Sequence, residues 1–80
     1  KEYGKDTIEI HQDAIEPDDV VLIHDDLLAT GGSMKAAYNL VQKFNPKKTY
    51  INFIIELTIE GLKGRDMFDD DIEISTLLTI

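Results

Sequence analysis

Two adjacent carboxylates, Asp25 and Asp26, are followed after Leu27 and Leu28 by Ala29-Thr30-Gly31-Gly32-Ser33, a run of small residues with two hydroxyls and two glycines. The glycines allow φ > 0 and a close approach of backbone to a ligand, and the hydroxyls add hydrogen-bond donors. Such a loop suits an anion, and phosphate is the expected one. Carboxylates would repel a phosphate placed directly against them, so the acids call for hydroxyls or a cation instead. A ribose 5-phosphate meets both demands: its 2′ and 3′ hydroxyls donate to Asp25 and Asp26 while its phosphate occupies the loop. A bound divalent metal would moderate the remaining repulsion. The loop is not of the Walker A type, because no Gly-Lys-Ser/Thr follows.

These residues need elements to position them. Val20, Val21, Leu22 and Ile23 precede the acids as an unbroken apolar run, three of the four β-branched. The run is too short for a helix and lacks the alternation of a half-wet strand, which predicts a strand buried on both faces and ending at the acids. After the loop, Met34, Ala37, Tyr38, Val41 and Phe44 recur at helical spacing, with Lys35, Asn39, Gln42 and Lys43 between them. An amphipathic helix therefore starts at the loop, and its free first amides and positive dipole end favour an anion there. Asn45-Pro46 predicts its end. Tyr38 and Phe44 read as core.

Thr49 to Leu57 reads as a second strand, parallel to the first because a helix intervenes. Its carboxyl end, Glu56-Leu57, then lies on the same rim as Asp25 and Asp26, where open α/β sheets bind ligands. Ile72 to Ile80 predicts a last strand whose Leu77, Leu78 and Ile80 are poorly covered. A short helical turn is expected around Leu62 to Phe68, with Lys63 and Arg65 as surface charges. Thr7 to His11 alternates like an edge strand, and Pro17-Asp18-Asp19 predicts a turn before the central strand. His11 reads as a surface residue and His24 as structural.

The run H-D-D-L-L-A-T-G-G-S closely resembles the phosphoribosyl-diphosphate (PRPP) signature of type I phosphoribosyltransferases, especially the adenine phosphoribosyltransferase branch. Glu2-Tyr3-Gly4-Lys5 resembles the E-Y-G motif of that branch's catalytic loop, and Glu56-Leu57-Thr58 with Leu62-Lys63-Gly64-Arg65 resembles its E-L-T and L-K-G-R segment. The resemblance covers essentially all of the chain but only about the C-terminal half of a family member. It implies an α/β fold, a partial type I phosphoribosyltransferase fold with a mainly parallel sheet and a flanking helix. Residues 1–80 would form the C-terminal portion of a single domain whose N-terminal half is absent.

The implied activity is transfer of a phosphoribosyl group from PRPP to adenine, giving AMP and pyrophosphate in purine salvage, by a cytoplasmic enzyme that is commonly a homodimer. The resemblance assigns catalysis to Glu2, Tyr3, Asp25 and Asp26, and ribose 5-phosphate binding to Asp25, Asp26, Ala29, Thr30, Gly31, Gly32 and Ser33. It sets Leu57 beside the base. Mg2+ arrives bound to PRPP, with no direct ligand from the chain. Alternatives are a phosphoribosyltransferase for another base, which the E-Y-G and L-K-G-R segments argue against, or a non-catalytic nucleotide-sensing module of the same fold.

Composition narrows the class further. Sixteen acidic against eight basic residues give a net charge of −8, which opposes nucleic-acid and anionic-membrane binding. No apolar run approaches the ~18 residues of a membrane span, and no signal-peptide pattern is present. Without cysteine there is neither disulfide nor thiolate metal site, which suits a reducing cytoplasm. At 80 residues the chain supports one small, marginally stable domain that buries about 60 to 65 per cent of its unfolded surface.

Overall fold

The computed structural model describes residues 14–80. Three strands, β1 (Val20–Leu28), β2 (Lys48–Glu56) and β3 (Glu73–Thr79), form a parallel sheet in the order β1-β2-β3. Helix α1 (Gly32–Gln42) connects β1 to β2, and two 3₁₀ turns, Ile59–Gly61 and Gly64–Met67, connect β2 to β3. The predicted mainly parallel α/β architecture is the observed one, but among the described residues the central strand is β2 and not, as expected, the strand that starts at Val20. Thr7 to His11 lies outside the described residues.

The chain enters β1 through a type II turn. Pro17 takes its second position, Asp18 has φ 74° at the third, and the Asp19 amide donates to the Glu16 carbonyl at 3.1 Å. Helix α1 follows the expected periodicity: Met34 and Val41 are buried, and Ala37 and Tyr38 pack against the core. Its regular part stops at Gln42, earlier than Asn45-Pro46 suggests. Lys43, Phe44 and Asn45 continue in tighter turns, donating to Leu40, Val41 and Gln42, before Asn45 reverses the chain at φ 56°.

The core lies on one face of the sheet. Leu28, Met34, Ile51, Phe53 and Phe68 are its buried cluster, with Ile23, Ile72 and Ile74 packed around them. Tyr38 meets Phe68 edge to face, with ring centroids 6.3 Å apart.

Two expectations for β1 need correction. The strand is covered on one face only: Leu22 is 64% exposed and Val20 62%. Four consecutive apolar residues require apolar surroundings on both sides of a strand, but α1 and Phe68 supply only one side among the described residues. The strand also does not stop at the acids. It pairs through Asp25↔Phe53 and Leu27↔Ile55 to Leu28↔Glu56, because β2 is long enough to offer partners beyond them. On the uncovered face, His24 Nδ1 bonds Asn52 Oδ1 at 2.8 Å, and Asn52 Nδ2 donates to Ser75 Oγ at 2.9 Å. His24 is thus tied into the sheet, the structural role expected of it.

Candidate functional site

The carboxyl ends of the three strands share one rim, since Leu28 pairs with Glu56 and Glu56 with Thr79. At that rim the chain leaves β1, turns through Ala29 to Gly31 and enters α1. The resulting cleft of about 360 Å³ is lined by every residue from Asp25 to Met34, and by Phe53 from β2. Asp25, Asp26, Ala29, Thr30, Gly31, Gly32 and Ser33, singled out from sequence, are all brought together there.

Gly31 is the N-cap of α1, with φ 88° and ψ −5°, and no side chain caps the helix. A serine cap would have occupied one of the first amides; here Ser33 already lies inside the helix. The first helical hydrogen bond runs from the Lys35 amide to the Gly31 carbonyl at 2.9 Å, so Gly32, Ser33 and Met34 have no helical acceptor for their amides. The Thr30 hydroxyl approaches the Gly32 amide at 3.5 Å. No acidic residue lies in the first turn. The helix end therefore presents amides and partial positive charge to the cleft.

The two glycines differ in what they allow. A Cβ on Gly31 would come within 2.6 Å of the Gly64 carbonyl oxygen and 3.0 Å of Met67 Cγ. A Cβ on Gly32 would meet only Thr30 Oγ1, at 3.9 Å. Gly31 is required by the fold, whereas Gly32 leaves open space for a ligand.

Both aspartates are exposed, and the Asp25 carboxylate accepts the Asp26 amide at 2.8 Å. That bond orients Asp25 while leaving its other oxygen available to a hydroxyl. Carboxylates of this kind are also the oxygen donors magnesium takes in company with substrate phosphates. The described residues contain no group of three or more His, Cys, Asp or Glu that would hold an ion unaided.

Leu57 follows β2 directly, and its amide donates to the Leu28 carbonyl at 2.9 Å. This places it on the rim, though it does not line the cleft. Glu2 and Tyr3 lie outside the described residues.

Arg65 is a surface charge, as the sequence suggests, with its side chain 45% exposed, but it is also paired. Its Nε donates to both Glu56 oxygens, at 3.0 and 2.8 Å, and a terminal nitrogen donates to the Ile74 carbonyl at 3.2 Å. Glu56 is buried and also accepts from Thr76 Oγ1 at 3.4 Å. The available signal was Glu56 itself, a carboxylate closing an apolar strand, which demands a cationic partner when buried.

No family model matches the chain. The curated adenine phosphoribosyltransferase of Bacteroides thetaiotaomicron is 60% identical over 80 residues, which are 100% of this chain and 44% of the relative. That of Phocaeicola vulgatus is 62% identical over 80 residues, covering 100% and 45%. The crystal structure of adenine phosphoribosyltransferase from Rhodothermus marinus superposes with a TM-score of 0.84 at 48% identity, over 100% of this chain and 44% of that one. The corresponding enzyme from Thermoanaerobacter pseudethanolicus gives 0.83 at 41% identity, over 100% and 45%. The chain thus spans less than half the length of the relatives it matches.

Proposed function

From a chain homologous along its whole length to the C-terminal half of adenine phosphoribosyltransferases, we propose the ribose-phosphate half of an adenine phosphoribosyltransferase, an enzyme that converts adenine and PRPP to AMP and pyrophosphate. The observation that carries this reading is the single cleft uniting an acid pair, a glycine loop and an uncapped helix N-terminus. The 5-phosphate accepts from the amides of Gly32, Ser33 and Met34 and from the hydroxyls of Thr30 and Ser33. Asp25 and Asp26 accept from the ribose 2′ and 3′ hydroxyls.

In the reaction the bond from C1′ to the pyrophosphate oxygen breaks as N9 of adenine attacks. The sugar gains positive character on the way, which the aspartates favour by their charge. Binding the remote phosphate orients the reacting carbon, so energy from a non-reacting group lowers the barrier. Magnesium, bound through the diphosphate, would supply charge neutralisation for the leaving group, and Asp25 and Asp26 are the carboxylates of the cleft that would suit it. Glu2 and Tyr3 are further catalytic residues, Glu2 assisting proton movement at the base. Leu57 packs beside the purine. The chain is one portion of a single domain, and the complete enzyme acts in the cytoplasm as a homodimer. Relatives named for adenine favour that base over another.

The test is an amide-resolved NMR titration of the chain with AMP. Shifts concentrated at Asp25 to Ser33 are expected, and a dispersed spectrum that ignores AMP would overturn the assignment.

A further inference from the structure

The segment that follows β2 is built against the back of the anion loop. Gly64 is buried, and a Cβ there would fall 2.6 Å from the Ala29 carbonyl oxygen and 2.6 Å from Leu28 Cδ1. Its own carbonyl oxygen would lie 2.6 Å from a Cβ on Gly31. The two glycines thus face one another across an interface with no room for a methyl group on either side. Met67 covers the same side of Gly31. Next to Gly64, Arg65 anchors the segment at three points: both oxygens of Glu56 at the end of β2, and the Ile74 carbonyl on β3. The Glu56 end is rigid in turn, because Glu56 is buried at 7% exposure and held by the sheet.

We infer that Glu56, Gly64 and Arg65 are positioning residues for the phosphate: the ion pair clamps the Gly64–Met67 turn onto the sheet, and the clamped turn holds Gly31 in its left-handed conformation. The consequence reaches the ligand through the backbone. The orientation of the Gly32, Ser33 and Met34 amides depends on Gly31, so a turn that yields lets those donors diverge. A planar guanidinium is required because an ammonium on a flexible stem cannot hold two carboxylate oxygens and a carbonyl in one fixed geometry. This inference rests on the cleft being a ribose-phosphate site.

Its test is 15N relaxation and ribose 5-phosphate titration of the chain and of the variants Arg65→Lys, Gly64→Ala and Lys63→Ala. In the ligand-free Arg65→Lys protein, the order parameters of Gly31, Gly32 and Ser33 fall toward about 0.6 or below, while those of Ile51 and Phe53 keep rigid-backbone values. Affinity for ribose 5-phosphate falls by about tenfold, the cost of an anion site that is no longer preorganised. Gly64→Ala shifts the same loop amides. Lys63→Ala, an exposed neighbour in the same turn, behaves as the unsubstituted chain.

Unchanged loop order in both Arg65→Lys and Gly64→Ala overturns the inference, whatever the phosphate does. Loss of dispersion throughout in both variants overturns it as well, since the pair would then hold the whole fold rather than the loop. If the unsubstituted chain ignores ribose 5-phosphate while Arg65→Lys still loosens the loop, the ribose-phosphate reading fails and the clamp is structural only.

Discussion

Gly31 and Gly32 are neighbours of one type with opposite uses, and substitution separates them. Gly31→Ala forces a Cβ into left-handed backbone, a cost of about 1–2 kcal/mol, and drives it against the Gly64 carbonyl at 2.6 Å. Chemical denaturation should register a loss larger than the backbone cost alone. A Cβ at Gly32 meets only Thr30 Oγ1, at 3.9 Å, so Gly32→Val should change stability by about 0.5 kcal/mol or less, while AMP binding is lost because the side chain fills the space a phosphate needs. Equal effects of the two substitutions on stability would contradict this division. The sequence located both glycines and both aspartates but could not divide the glycines' roles, since the clash at Gly31 comes from a turn more than thirty residues away. The pairing of Arg65, an exposed charge as expected, was hidden for the same reason. Its partners sit nine residues to either side, and only the path of the 3₁₀ turns brings them together.

Among the elements, β2 carries the most: it is the central strand, and Ile51 and Phe53 are almost fully buried. Phe53→Ala should cost about 3–5 kcal/mol, enough to leave so small a domain largely unfolded by circular dichroism. The start of β2 is tied to β3 by Lys48 and Glu73, 3.1 Å apart. The hydrogen bond from Lys48 to Glu73, followed by their opposite charge, raises the lysine above its ordinary value. A raised folded-state pKa means that the pair's contribution is complete below the unfolded lysine range of about 10.4 and is lost as pH rises through the folded value. The stability difference between the protein and Glu73→Gln should therefore stay constant from neutral to mildly alkaline pH and close only in strong alkali; equilibrium denaturation across that range checks it. The existence and order of β1, α1, β2 and β3 were legible because period and turn chemistry are local signals. How far β1 runs and which of its faces is covered were not, since both depend on what the neighbouring elements supply.

At the largest scale, the decisive feature is a sheet that the described residues dress on one side only. Val20, Leu22, Tyr50 and Leu77 are exposed large apolar residues, with Leu77 at 76%. Such a surface favours association, so sedimentation velocity should detect concentration-dependent self-association of the chain, reduced by Leu22→Lys. No change on that substitution would show that another surface drives it. Because the chain spans less than half the length of its relatives, it should also show little or no transferase activity with adenine and PRPP. AMP formation at an ordinary enzymatic rate would refute that expectation. Among the described residues, no helix is long and apolar enough to cross a membrane.

The polar row His24–Asn52–Ser75 sits in the middle of this apolar surface. A strand that slides by one position sends every side chain to the opposite face, which for β2 would take Ile51 and Phe53 out of the core. A slide by two positions keeps every side chain on its proper side, and hydrophobicity alone cannot detect it. The row can: with His24 opposite Ile54, or Asn52 opposite Leu77, the chain of hydrogen bonds is broken. The row thus works as a parity check of a second kind, guarding the alignment that brings Leu28, Glu56 and Thr79 level at the rim.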